Sequence, residues 1–264
     1  MSSTDQTYYR DGHDASISQT HSWRNVKNSC AYMLNFIKPT DKILDVGCGP
    51  GTITYDLGKY VPKGEIIGIE PTKELIDEAL GDETTKKSQP NVSFEVCSVY
   101  SLPYPDSCFD IVHAHQVIVH LENPLKALQE MKRVLKPGGY LCCRDGDLQA
   151  CIFYPEVFIE PLFYYLEKAT TEFTCWYGGS RLKELFIGVK FKPDKIIHTT
   201  STWCISSRAD RELFSNMYIK RLDSIKYNSS DKYTKSQLKE AWLQWANDDK
   251  ASWVQIHGEV IAQK

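Results

Sequence analysis

From residue 43 onward, short apolar runs alternate with stretches whose apolar positions recur every three to four residues. Residues 43–46, 65–70, 92–96, 109–115 and 140–144 are compact apolar runs and read as strands. Between them, residues 52–60, 72–80 and 123–135 carry the helical period, with Thr72 placed to cap the second. Lys136-Pro137-Gly138-Gly139 stops the third helix with a turn. This strand–helix alternation predicts an α/β fold with a doubly wound parallel sheet, right-handed crossovers and helices on both faces.

The flanks follow other patterns. Residues 28–37 read as a helix with Ala31, Leu34 and Ile37 on one face, ended by Pro39. From Leu148 to Val189 the alternation stops and aromatic residues crowd together, which predicts helices broken at Gly178-Gly179. Residues 195–205 alternate like a strand, 208–225 and 235–248 read as helices, and 259–263 as a last strand. The expected layout is an N-terminal helical lid (1–40), a cofactor-binding core (41–147), a helical cap insertion (148–192) and C-terminal strands and helices completing the sheet domain (193–264).

Composition narrows the function classes. A chain of 264 residues with 42% hydrophobic and 25% charged positions is an ordinary globular one, long enough for a sizeable core. The net charge of −3 leaves no basic footprint for nucleic acid or a membrane surface. Nine cysteines, an odd number without a C-x-x-C pair, predict reduced thiols and no zinc site. No clustered carboxylates suggest a metal. The N-terminus carries no signal pattern, and no run approaches the roughly 18 apolar residues of a membrane span. These features point to the cytoplasm and leave the sequons at Asn91 and Asn228 without meaning.

The chemistry concentrates in Asp45-Val46-Gly47-Cys48-Gly49-Pro50-Gly51, between the first strand and the first helix that follows it. Glycines there let a ligand press against backbone N–H groups at a helix start. A dinucleotide fingerprint needs a further glycine where Thr52 stands. Asp45 would repel a pyrophosphate but suits an ammonium group. Glu70 ends the second strand, where a carboxylate can accept hydrogen bonds from two ribose hydroxyls. A ligand with an amino group and a ribose but no pyrophosphate fits, and S-adenosylmethionine is such a ligand. A nicotinamide oxidoreductase fits less well.

The segments KILDVGCGPGTIT, GEIIGIEPT, LPYPDSCFDIVHAHQVIVHLENP and EMKRVLKPGGYL occur in this order within residues 41–144. They resemble class I S-adenosylmethionine-dependent methyltransferases of the ubiquinone/menaquinone-biosynthesis-like small-molecule type. Residues 8–23 and 201–204 look like a microbial small-molecule subgroup. The resemblance implies a Rossmann-like, mostly parallel seven-stranded sheet with helices on both faces and a helical cap. It implies that Asp45 holds the cofactor's amino group, and that Gly47 and Gly49 let its methionine part approach. Glu70, with Pro71 and Thr72 beside it, would take the ribose hydroxyls. Where the family has an Asp for the adenine amino group, Ser98 stands next to Val99, a neutral acceptor in place of a charged one. His115 and Gln116 would line the cofactor near its methyl group.

Methyl transfer needs a positioned nucleophile and, for a hydroxyl or acidic carbon, a base. Candidates beyond strands four and five are His120 and Asp145, each of which can equally cap or pack; Arg144 and Asp147 lie beside the latter. His113 reads as packed core, and His198 and His257 lack a motif. Tyr8, Tyr9, His21, Trp23 and Arg24 resemble a lid, with Arg24 placed to pair with the cofactor carboxylate. Trp176 and Trp203 are candidates to cap an apolar pocket, although core packing is the commoner fate of such residues. The expected partner is thus a small, apolar or aromatic organic substrate, with oxygen, carbon and nitrogen acceptors all open. Strand four ends in HAHQ and not in the Asp/Asn-Pro-Pro-aromatic signature of nucleobase amino methyltransferases. A catalytically silent S-adenosylmethionine-binding module that regulates a partner is the alternative.

Overall fold

The structure, a computed structural model, describes residues 21, 23–81 and 89–264. Seven strands form one sheet in the order β3-β2-β1-β4-β5-β7-β6. They are β1 (Lys42–Val46), β2 (Glu65–Glu70), β3 (Val92–Val96), β4 (Phe109–His115), β5 (Leu135–Tyr154), β6 (Ile196–Ile205) and β7 (Ser252–Gln263). The pairs among β1 to β5 are parallel, and β7 runs antiparallel to both of its neighbours. The chain leaves β1 toward β2 and β3, then returns to place β4 on the other side of β1. That reversal opens a crevice at the carboxyl ends of β1 and β4, where open α/β sheets bind ligands.

The described α-helices are α1 (Val26–Ser29), α2 (Thr52–Gly58), α3 (Lys73–Leu80), α4 (Pro124–Val134), α5 (Ile159–Ala169), α6 (Gly178–Gly188), α7 (Arg208–Arg221) and α8 (Lys235–Asn247). Local chemistry explains several boundaries. Asn123 caps α4 by accepting the Lys126 N–H at 3.1 Å, Pro124 opens the helix, and Ala127, Leu128, Met131 and Val134 form its buried face. Thr234 and Gln237 cap α8 reciprocally.

The helix expected over 28–37 is instead α1 followed by a 3-10 turn, Ala31–Phe36. Its buried side is Val26, Cys30 and Met33, and Ala31 is exposed. The Val26 N–H donates to Asp56 on α2 at 2.8 Å, so docking onto α2 turns the segment away from the face that its periodicity suggests.

β5 is the larger departure. The turn at 136–139 is absorbed as a register shift between Phe109 and Ile111. The strand then runs on to Tyr154, with β7 pairing it through a second irregularity between Asp147 and Ile152. The stretch assigned to a helical cap from residue 148 therefore begins as strand, with Cys151 and Phe153 buried and Ile152 and Tyr154 exposed. Helix α6 packs on β5 and β7, where a Cβ on Gly179 would overlap the Gly258 backbone. It covers the sheet and is not part of a cap.

Apolar side chains form separate clusters. Two flank the parallel strands, one around Leu44, Val112 and Leu128 and the other around Ile43, Leu57 and Met33. A third, largely aromatic, joins the far end of β5 and β7 to α5, α7 and α8. In it Phe153 stacks on Trp253 at 5.2 Å and Tyr218 on Trp242 at 4.6 Å. Aromatic pairs of this kind contribute about 0.5–1.5 kcal/mol each beyond their buried area. All nine cysteines are free thiols. Among the described residues no helix is long and apolar enough to cross a membrane.

Candidate active site

A cavity of about 220 Å³ opens at the carboxyl ends of β1, β2 and β4. One side is the glycine loop with Glu70, Pro71, Thr72, Ser98 and Val99; the other is built by α5 and α7. The loop glycines have distinct tasks. Gly47, Gly49 and Gly51 all have positive φ (67°, 54° and 81°), which favours glycine at each position. A Cβ on Gly47 would collide with Val117, whereas one on Gly49 would meet only His21 Nδ1 at 3.7 Å. Gly47 thus serves packing, and Gly49 leaves the cavity open. The Gly47 and Cys48 N–H groups donate to the Ile69 carbonyl at 2.8 and 3.0 Å, tying the loop to β2.

Asp45 is buried at the end of β1, and both its oxygens are engaged. Thr54 Oγ1 donates to Oδ2 at 2.6 Å, and His113 Nδ1 lies 2.8 Å from Oδ1. Burial works against a charged imidazole. Cys30 and the Asp45 carboxylate outweigh it, and His113 is pushed up to about 10. His113 is buried as expected, and its Nδ1 clamps Asp45. The parallel register that pairs the two residues is a tertiary fact, so no local signal announces it.

Glu70 is 7% exposed. Burial raises its carboxyl to about 6 against the opposing pull of backbone N–H groups at Thr72 and Gly49. The Thr72 N–H lies 3.2 Å from Oε1, and the Thr72 side chain adds a second hydrogen-bonding pull on the same carboxylate. Ser98 Oγ accepts the Tyr100 N–H at 3.1 Å and keeps a second lone pair.

His115 stands 2.8 Å from Arg144 through Nε2. A guanidinium has only donors, so Nε2 accepts and Nδ1 carries the proton. Burial and the nearby Arg24 and Arg144 hold this ring neutral, well below the usual histidine range. Gln116 has a positive φ of 57°, held by its N–H donating to the Arg144 carbonyl at 2.8 Å. The Gln116 and Gln255 amides both lie against the space that Gly146 leaves open.

Of the further sequence candidates, His120, Arg24 and Trp203 line the cavity, and Asp145 and Trp176 do not. Burial, helped by Arg221 and Arg24, lowers His120 to about 3, so it is a neutral hydrogen-bonding ring and a poor match for a base at neutral pH. Asp145 is fully buried and accepts the Val119 N–H at 3.4 Å, and burial pushes it up to about 7. It braces the turn after β4. Trp176 packs on the aromatic cluster. Trp203 Nε1 donates to the Asn28 carbonyl at 2.6 Å, with Arg24 Cζ 5.5 Å and Arg144 Cζ 4.8 Å from its ring. His21 lines the cavity, Trp23 packs edge-on against Trp203, and Tyr8 and Tyr9 lie outside the described residues. His198 and His257 are outside the lining, although His257 backs Trp203 at 4.4 Å.

Sequence reasoning missed the opposite wall: Leu166 and Ala169 of α5, Phe214, Met217, Tyr218 and Arg221 of α7, and Gln255 of β7. No motif marks them. Among the described residues no His, Cys, Asp and Glu group has a metal-binding arrangement. A buried carboxylate at the ends of both β1 and β2 and clear space at Gly49 suit a ligand with an ammonium group and vicinal hydroxyls.

The comparisons agree with this geometry. A family model described as a methyltransferase domain matches residues 37–216. An uncharacterized methyltransferase of Schizosaccharomyces pombe is 41% identical over 272 residues, covering 99% of this chain and 98% of the relative. The crystal structure of the YcgJ protein from Bacillus subtilis aligns with a TM-score of 0.57 at 20% identity, over 93% of this chain and 98% of that one. Phosphoethanolamine N-methyltransferase 2 of Haemonchus contortus, solved with S-adenosyl-L-methionine, aligns at 0.59 and 18% identity over 100% and 60% of the two chains. Fold, site and relatives agree: the chain belongs to the methyltransferase-domain family and is an S-adenosylmethionine-dependent methyltransferase.

Proposed function

We propose that this enzyme methylates a small, apolar or aromatic organic molecule held between the glycine loop and the α5/α7 wall. The observation that carries the reading is the two-sided cavity. Polar loop residues face one half, and Leu166, Phe214, Met217, Tyr218 and Trp203 face the other. S-adenosylmethionine supplies a methyl group activated by a positively charged sulfur. The chain's own residues bind, orient and exclude water. Asp45 takes the amino group. Gly49 accommodates the methionine part, and Gly47 holds the loop against Val117. Glu70, beside Pro71 and Thr72, takes the ribose hydroxyls. Ser98 and Val99 flank the base, and Arg24 meets the carboxylate. His115 and Gln116 stand near the methyl group, and Trp203 borders the acceptor. Nine free thiols suit a reducing cytoplasm.

The test is calorimetric titration with S-adenosylmethionine, S-adenosylhomocysteine and NAD, followed by transfer of labelled methyl to a fractionated cell extract. Micromolar binding of the first two, none of NAD and label in the low-molecular-mass fraction are expected. Label only in protein would overturn the substrate class. Binding without any labelled product would favour a silent regulatory module.

A further inference from the structure

We propose that Gln116 and Gln255 form a two-amide clamp over Gly146 that selects the methyl acceptor by a neutral carbonyl oxygen; this rests on reading the cavity as a methyl-transfer site. Gly146 lies on β5, between Gln116 just past β4 and Gln255 on β7, and all three line the cavity. A Cβ on Gly146 would stand 2.8 Å from Gln255 Nε2, 3.3 Å from Gln116 Nε2 and 3.5 Å from Gln116 Oε1. The two side-chain amides thus converge on one spot above the sheet. Backbone conformation does not explain the glycine, because Gly146, unlike Gly47, Gly49 and Gly51, has no positive φ. Room for the two amides does.

Gln116 carries two costs that a ligand would justify. Its φ of 57° is uncommon for a residue with a side chain, and the Arg144 carbonyl holds it by accepting its N–H at 2.8 Å. Its Nε2 is buried and has no hydrogen-bond partner among the described residues. Gln255 is 6% exposed and stands opposite Trp203 in the β6–β7 register. In the sheet order β7 is three strands from β1, roughly 14 Å at the usual strand spacing. The clamp therefore lies away from Asp45 and the glycine loop, on the side given to the acceptor. Two N–H donors cannot pair with each other, and one oxygen between them serves both. Both amides are uncharged. A carbonyl oxygen needs no counter-charge there, whereas a carboxylate would lose hydration without gaining one.

The experiment uses the full chain saturated with S-adenosylhomocysteine and ligand-observed NMR titration. Three carbonyl compounds are set against partners in which a methylene replaces the carbonyl: chroman-4-one with chroman, para-hydroxyacetophenone with para-ethylphenol, and 3-acetylindole with 3-ethylindole. At least one carbonyl member should bind about fivefold or more tightly than its partner, the scale of one to two neutral hydrogen bonds. Gln255→Leu should bring that preference within about twofold and leave S-adenosylhomocysteine affinity unchanged. Gly146→Ala should do the same and stay folded, because the atoms nearest its methyl group are the ends of two flexible side chains. Para-hydroxybenzoate should bind no better than para-hydroxyacetophenone. Absence of a carbonyl preference in every pair, whether both members bind or neither does, would overturn the proposal. So would a preference that survives Gln255→Leu and Gly146→Ala, or tighter binding of para-hydroxybenzoate. Failure of S-adenosylhomocysteine to bind the wild type would sink the methyl-transfer reading itself, a separate result.

Discussion

His113 on β4 and Asp45 on β1 are register partners whose side chains meet in a buried pair, Nδ1 to Oδ1 at 2.8 Å. The pair fixes the carboxylate that faces the glycine loop. His113 lies near 10 in the folded state against 6.5 as its ordinary value. Its contribution is fully present below about pH 6.5 and is lost as pH rises through 10. The difference in Tm between the ligand-free wild type and His113→Gln should therefore shrink from pH 7 to pH 10. Parallel melting curves across that range would mean that the pair is neutral.

Glu70 gives a contrasting pH signature. Its folded pKa of about 6 lies above the ordinary 4.5. Its protonated form favours the ligand-free fold, and that contribution fades as pH rises through 6. With ribose hydroxyls donating to this carboxylate, as proposed, cofactor affinity should fall as pH drops below 6 while this residue's share of ligand-free stability grows. Glu70→Ala should weaken S-adenosylmethionine binding by about 1.5–3 kcal/mol, the scale of a charge-assisted hydrogen bond. Calorimetry between pH 5 and 8 checks both statements, and pH-independent affinity in the wild type would remove Glu70 from the ribose site.

The glycine loop separates fold from binding. Gly49→Val should lose cofactor binding, because its side chain enters the cavity, with a stability cost of about 1–3 kcal/mol from its positive φ. Gly47→Ala should lower stability by about 1–3 kcal/mol through overpacking and its positive φ. Val117→Ala should recover part of that loss by removing the colliding methyl groups. Denaturant unfolding of Gly47→Ala, Val117→Ala and the double variant tests this, and full additivity of the two changes would refute the collision.

His120 and Asp145 should behave as supports. His120→Gln should keep turnover within about threefold, whereas loss of a general base costs about a hundredfold or more. Asp145→Ala should cost about 1–3 kcal/mol of stability by leaving the Val119 N–H unmet, with cofactor affinity nearly unchanged. Steady-state kinetics and calorimetry separate the two roles. A turnover collapse in His120→Gln alone would restore it as a base.

The glycine-loop half of the cavity was legible because its residues are local in sequence. Asp45, Gly47, Gly49, Glu70 and Ser98 each sit at the carboxyl end of a strand or shortly past it, so locating the strand locates the residue. The α5/α7 half was not. Leu166, Met217 and Arg221 reach the cavity only through the packing of α5 and α7 on the extended ends of β5 and β7. Trp176 and Trp203 look alike as sequence, and only the position of Trp203 on β6 brings it to the cavity. The end of β5 was misread because its long partner, β7, carries it past the glycine and acidic positions that resemble a strand terminus.

The separate aromatic cluster behind α5 and α7 has an evolutionary consequence. Phe214 and Leu166 belong to it, whereas the side chains beneath the glycine loop belong to the clusters on the parallel strands. Substitutions that reshape the α5/α7 wall are absorbed by that aromatic cluster and leave Asp45, Glu70 and the loop undisturbed. Descendants of one ancestral gene can in this way diverge in what they methylate while inheriting the same methyl donor.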